Sequence, residues 1–292
     1  MIPLIPPVEG FNDFIGAWLY QGEVTILVDV GPASTARMLL DALEDRHIDT
    51  LDFILLTHIH LDHAGGISRI WHQFPESRVV CHPSALAHLI DPKRLWKGSV
   101  KTLGAIAAAY GPPEPIPSDA LTSCEDLHSS VVDSILTPGH AEHHVSYRIE
   151  DTLFVGEACG VVLQTGKNHA YMRPATPPRL FLNLFLKSLD ELMGKGELQI
   201  CCGHYGRYEN GSALLAAHRD QLLRWELIIE QILNKEQSDD LIRKCLDKLV
   251  ASDHLLKGFR EMESRIQKRE LFFLENSIRG FIGYIQGKKG GN

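Results

Sequence analysis

Apolar and polar residues alternate in short runs over roughly the first two thirds of the chain, and then follow helical spacing alone. Thr25-Ile26-Leu27-Val28-Asp29-Val30 is β-branched and apolar, which predicts a strand, and Gly31-Pro32 ends it. Ala33 to Leu43 has helical composition and apolar spacing. Leu51 to Leu56, Val79 to Cys81, Ser134 to Leu136 and Leu198 to Cys202 read as further strands. Val145 to Ile149 alternates, Asp151 marks a turn, and Thr152 to Val155 resumes, which is the pattern of a hairpin. This mixture predicts two sheets covered by helices rather than one parallel sheet.

Two stretches break the rhythm. Lys97 to Ser123 carries several Pro and Gly residues and little regular pattern after Tyr110, so it reads as an insertion or loop over one face. Thr165 to Pro178 holds Tyr171, Met172, Pro174, Pro177 and Pro178. It reads as a loop, either near the mouth of a site or as a plain surface connection. From Ser212 the pattern is helical: Leu214 to Leu233, Leu241 to Val250, and one or two helices in Phe259 to Ile285. A domain change near residue 210 follows, giving a mixed domain over 1–210 and a helical domain over 211–292. The leucine-rich face with Leu222, Leu223, Leu227 and Ile228 reads as docking on the first domain near its active-site side, the alternative being a homodimer interface.

A chain of 292 residues is comfortable for a large domain plus a smaller one. With 44% hydrophobic and 23% charged residues, its composition is that of a soluble globular protein. The six cysteines form no Cys-x-x-Cys pair, so they read as buried thiols of a reducing compartment. The first residues lack a basic segment followed by a long apolar run, and no stretch reaches 18 uncharged apolar residues. The expected location is therefore cytoplasmic, with no membrane association. A net charge of −8 disfavours nucleic acid as a partner. The compact basic run Lys288–Lys289 reads as a frayed tail.

The chemistry concentrates in Thr57-His58-Ile59-His60-Leu61-Asp62-His63-Ala64-Gly65-Gly66, directly after a buried strand. Imidazole is a good ligand for zinc, iron and related divalent ions. Polar groups clustered at a strand end are costly to bury unless they are paired or bound to metal. Three later segments each place a ligand side chain after an apolar run: Thr137-Pro138-Gly139-His140, Phe154-Val155-Gly156-Glu157 and Cys202-Gly203-His204. A site at the edge of a sheet needs that repeated arrangement.

These segments, together with Leu27-Val28-Asp29-Val30-Gly31, resemble the metallo-β-lactamase superfamily, in the branch that looks like glyoxalase II and the lactone hydrolases. The resemblance covers about the first 210 residues. It implies an α/β fold, a four-layer αβ/βα sandwich with metals at one edge between the sheets, followed here by the helical domain. It implies two divalent ions, zinc first with iron or manganese as alternatives. One would be held by His58, His60 and His140, the other by Asp62, His63 and His204. Glu157 stands where the family has a bridging Asp. Glutamate there leaves two readings, a ligand or a carboxylate outside the coordination shell. Asp29 is expected to orient a ligand, or to be a strand-end turn residue. His144 is expected to be structural or to support a ligand. His143 replaces the family's glycine and reads as a rim residue, the alternative being a substrate contact.

The implied activity is a metal-dependent hydrolase that activates water against an ester, thioester or lactone carbonyl of a small molecule. Asp62 would be the catalytic carboxylate. Lactone hydrolases of the family place a tyrosine three residues after the bridging acid, where this chain has Gly160, so Tyr171 and Tyr205 are the candidate substrate contacts. Two alternatives stay open. One is a mononuclear iron dioxygenase acting on a sulfur substrate through His58, His140 and the carboxylate at 157. The other is a small-molecule phosphodiesterase.

Overall fold

The structure is a computed structural model and describes residues 1–165, 169–235 and 240–290. The chain forms two compact units. The first comprises 1–136, 143–156 and 203–205, and the second 137–142, 157–202 and 206–292.

The first unit is built on a six-stranded sheet. Its strands are β1 (Ile2–Leu4), β2 (Ile15–Gln21), β3 (Thr25–Val28), β4 (Phe53–Leu55), β5 (Arg78–Cys81) and β6 (Leu121–Ser123), in that order across the sheet. The pairs β1–β2 and β2–β3 are antiparallel, and β3 to β6 run parallel. Parallel strands are covered on both faces, which explains why Ile26, Leu27, Ile54, Leu55, Val79 and Val80 form nearly continuous apolar runs and are all buried. Helix α1 (Ala36–Glu44) buries Ala36, Leu39 and Leu43, one helical stripe. Helices α2 (Leu61–Ala64), α3 (Ile67–Gln73) and α4 (Leu86–Ile90) follow the parallel strands.

Lys97 to Tyr110 is helical rather than a loop, within α5 (Lys93–Leu103) and α6 (Ala105–Tyr110). The pattern is weak because α5 fully buries no residue, and Gly104, at φ +56°, breaks the two helices apart. Strands β7 (Val132–Leu136), β8 (Val145–Ile149) and β9 (Thr152–Gly156) form an antiparallel meander. The buried Tyr147 of β8 donates to the carbonyls of Leu56 (3.0 Å) and Val80 (3.3 Å), tying the meander to the ends of the parallel strands.

The second unit contains the hairpin β10 (Val161–Thr165) and β11 (His169–Arg173), helix α7 (Leu182–Met193), the short hairpin β12 (Gln199–Cys202) and β13 (Arg207–Tyr208), and helices α8 (Gly211–Lys235), α9 (Leu241–Ser252) and α10 (Ser264–Gly290). The predicted loop from Thr165 to Pro178 is thus partly a strand. Val161 to Thr165 pairs with His169 to Arg173, and the prolines begin only after β11 ends. Residues 166–168 of that stretch lie outside the described residues.

Trp225 and Phe281 meet at 5.7 Å in this unit's core, with Leu222, Ile229 and Leu249 buried. The buried Asp253 carboxylate accepts from Gln221 Nε2 (2.8 Å), Trp225 Nε1 (2.8 Å) and Arg224 (3.3 Å), so its charge is paired. Lys288 belongs to α10 and donates to Glu226 at 2.7 Å rather than fraying. All six cysteines are buried and reduced, and burial pushes the Cys81 thiol up to about 12. No helix among the described residues is long and apolar enough to cross a membrane.

Candidate metal centre

The segment 57–66 leaves β4 and enters α2 through His60, which caps the helix in an extended conformation. Its backbone is locked to the turn after β3. The His63 carbonyl accepts from the amides of Val30 (2.7 Å) and Gly31 (3.2 Å), and the Gly66 amide donates to the Gly31 carbonyl at 2.9 Å. Only glycine fits at 65, because a Cβ there would lie 2.4 Å from the Leu61 carbonyl oxygen.

Asp29 sits in the left-handed region (φ +56°), buried, with its carboxylate turned onto this loop. It accepts from the Thr57 amide (2.8 Å), the Thr57 hydroxyl (2.8 Å) and His63 Nδ1 (2.8 Å). The Thr57 hydroxyl has one proton and gives it to Asp29. At 3.1 Å from His58 Nδ1 it therefore acts as the acceptor. His204 Nδ1 donates to the Phe14 carbonyl (3.1 Å), and its ring stacks on Phe14 at 4.1 Å. In the second unit His140 Nδ1 donates to the Ala175 carbonyl at 2.7 Å. The proton of all four imidazoles is thereby held at Nδ1, which turns the Nε2 lone pair into the ligand atom.

Within the first unit, ligand atoms of Asp62, His63 and His204 lie within 4.8 Å of one another, with Asp62 Oδ2 at 3.7 Å from His204 Nε2. The His58 ring stands 4.6 Å from that of His60 and 4.2 Å from that of His63. In the second unit His140 Nε2 lies 2.7 Å from Glu157 Oε2, both buried. An acceptor nitrogen that close to a carboxylate oxygen requires a proton or a cation between them. Nitrogen and carboxylate donors in these numbers suit zinc, iron or manganese.

The turn bearing His140 is held from α7. Ser188 donates to the Pro138 carbonyl at 2.7 Å, and a Cβ at Gly139 would lie 2.4 Å from the Phe185 ring.

The remaining candidates fall in different places. His144 is buried and stacks on His58 at 5.3 Å, and Gly156 must lack a side chain because a Cβ there would meet His144 Nε2 at 2.6 Å. His143, read as a rim residue, is half-buried, with its ring 5.8 Å from His60 and 6.3 Å from His58. Tyr205 (φ +62°) donates to Asp13 at 3.1 Å; burial and that hydrogen bond push its phenol up to about 12. Tyr171 is fully buried in the second unit, and burial and the neighbouring Glu270 charge raise its phenol. It has no exposed surface there. The sequence reading gave no part to Thr57, Phe14 or Ala175. Two of these act through backbone carbonyls, which leave no mark in residue type.

The profile of the metallo-beta-lactamase superfamily matches residues 13–204. The metallo-beta-lactamase fold-containing protein ST1585 of Sulfurisphaera tokodaii is 26% identical over 270 residues, covering 89% of this chain and 95% of that protein. Its crystal structure superposes with a TM-score of 0.67, at 21% identity, over 95% of this chain and 97% of the other. The metallo-beta-lactamase family protein TTHA1429 of Thermus thermophilus gives a TM-score of 0.63 at 20% identity, over 98% of this chain and 93% of the other. Hydroxyacylglutathione hydrolase of Yersinia pestis is 25% identical over 231 residues, 75% of this chain and 73% of that enzyme. The fold is accordingly an α/β sandwich of metallo-β-lactamase type with a C-terminal helical region.

Proposed function

The chain belongs to the metallo-β-lactamase superfamily, and we propose that it is a metal-dependent hydrolase cleaving an ester, thioester or lactone carbonyl of a small molecule. The observation that carries this reading is the common orientation of four histidines. His58, His63, His140 and His204 each have Nδ1 against an oxygen atom, and the Nε2 atoms of His140 and His204 face the carboxylates of Glu157 and Asp62.

The family resemblance would assign one divalent ion to His58, His60 and His140 and a second to Asp62, His63 and His204, the last three of which stand together in the first unit. Glu157 is assigned to the first group because its carboxylate meets His140. Zinc suits these donors, with iron and manganese as alternatives. Bound there, such ions supply Lewis acidity and lower the pKa of water towards about 7. Asp62, beside His204, orients the attacking water and carries its proton to the leaving group. Asp29 fixes the direction of His63 and, through Thr57, of His58. Likeness to hydroxyacylglutathione hydrolase supports a thioester as the first substrate class to assay.

The test is a panel of thioesters, esters and lactones with wild-type protein and His60→Ala. The expected result is turnover by wild type, and loss of bound metal together with an activity drop of about a hundredfold or more in the variant. Full turnover and unchanged metal content in His60→Ala would refute the assignment.

A further inference from the structure

The segment after β11 lies between α10 and His140, and its carbonyls face alternate sides. Those of Pro174 and Thr176 share the one proton of the Ser277 hydroxyl, each at 3.2 Å. The carbonyl between them, that of Ala175, accepts from His140 Nδ1 at 2.7 Å. An extended chain alternates in this way, so whatever fixes carbonyls 174 and 176 also fixes carbonyl 175.

Helix α10 grips the segment with four residues of one stripe, Glu270, Phe273, Ser277 and Gly280, spaced three, four and three apart. Glu270 accepts from Arg173 Nε at 2.5 Å and from Arg269 Nε at 2.8 Å. The Arg173 guanidinium lies over the Phe273 ring at 4.9 Å and donates to the Pro174 carbonyl at 3.2 Å. At Gly280 the helix approaches so closely that a Cβ would lie 2.5 Å from the Pro177 carbonyl oxygen. Arg173, Glu270 and Ser277 are all buried. Burial alone would raise the Glu270 carboxyl, but the two arginines outweigh it and hold the group below its ordinary range. The grip is therefore charged, dry and close-packed.

We propose that Ser277 and the Arg173–Glu270 pair are positioning residues for His140: α10 sets the place of the Ala175 carbonyl and thereby the tautomer and direction of a metal ligand. The proposal rests on the reading of His140 as a ligand given above. It assigns the C-terminal helix a part in metal binding that is separate from any contact with substrate. The carbonyl is the partner that selects Nε2 as the ligand atom, and losing such outer partners typically costs about 10–100-fold in metal affinity.

The experiment measures Zn2+ affinity of the full chain by chelator competition, with 15N spectra reporting which nitrogen of His140 carries the proton. The variants are Ser277→Ala, Gly280→Ala, Ser277→Thr and, on another face of α10, Arg279→Ala, whose partners are Glu275 and Asn276. Ser277→Ala and Gly280→Ala are expected to weaken one of two binding events about 10–100-fold and leave the other unchanged. His140 should then show mixed tautomers. Ser277→Thr, which keeps the hydroxyl, should restore both readouts, and Arg279→Ala should change neither. The proposal is overturned if wild type binds two ions and Ser277→Ala binds both as tightly with His140 unchanged. It is overturned equally if both events weaken in parallel with a lowered melting temperature, the mark of a purely structural contact. Wild type binding no Zn2+ at all would instead remove the ligand reading beneath it.

Discussion

Single residues in this protein are held in one tautomer by neighbours that no local pattern announces. Asp29 in a left-handed turn, Thr57 and the carbonyls of Phe14 and Ala175 each hold one imidazole proton. His218 shows the opposite case. It is fully buried against Phe185, and burial, only partly offset by Gln221, lowers its pKa to about 3. The unfolded chain takes up that proton near the ordinary value of 6.5, whereas the folded chain does not. The stability His218 contributes is thus complete above pH 6.5 and is lost as pH falls towards 3, by up to ~1.4 kcal/mol per pH unit. Denaturant midpoints of wild type and His218→Leu between pH 5 and 8 check this. The variant should lose less stability on acidification than wild type, by about that slope. Parallel curves would contradict the account. The candidate ligand residues stand out in the sequence because three histidines and an aspartate fall within six positions after a strand. Their supporting groups were not legible, because a carbonyl oxygen is common to every residue type.

At the scale of elements, the parallel strands and the hairpin β8–β9 could be read from apolar runs, since strands buried on both faces carry little else. Three features could not. Helix α5 buries no residue fully, so it leaves no stripe. Strand β11 owes its state to pairing with β10, a tertiary cause invisible beside the prolines that follow it. Strands β1 and β2 flank a stretch with Pro6, Pro7 and Gly10 that interrupts any alternating pattern. Tyr147 links two of the readable elements, bonding from β8 to the carbonyls of Leu56 and Val80. Tyr147→Phe keeps the ring and removes that link. It should cost about 1–3 kcal/mol by leaving a buried carbonyl unpaired, seen as a lower urea midpoint with unchanged slope. An unchanged midpoint would show that the hydroxyl does not brace the strand ends.

Across the whole molecule, both compact units carry residues with metal chemistry. The first holds Asp62, His63 and His204 together, along with His58 and His60, and the second holds the His140–Glu157 pair. The change of pattern near residue 210 marks where the helices begin. Compactness groups those helices with 157–202, because α7 packs on α8, and the β10–β11 hairpin packs on the turn before α10. Sequence spacing cannot show such long-range grouping. The central claim, a two-ion hydrolytic centre, is tested most directly by elemental analysis of protein purified without chelators or a nickel column. The account predicts two zinc, iron or manganese ions per chain at saturation, with activity lost on their removal and regained on their return. Saturation at one iron per chain with oxygen uptake, or full hydrolysis by metal-free protein, would contradict it.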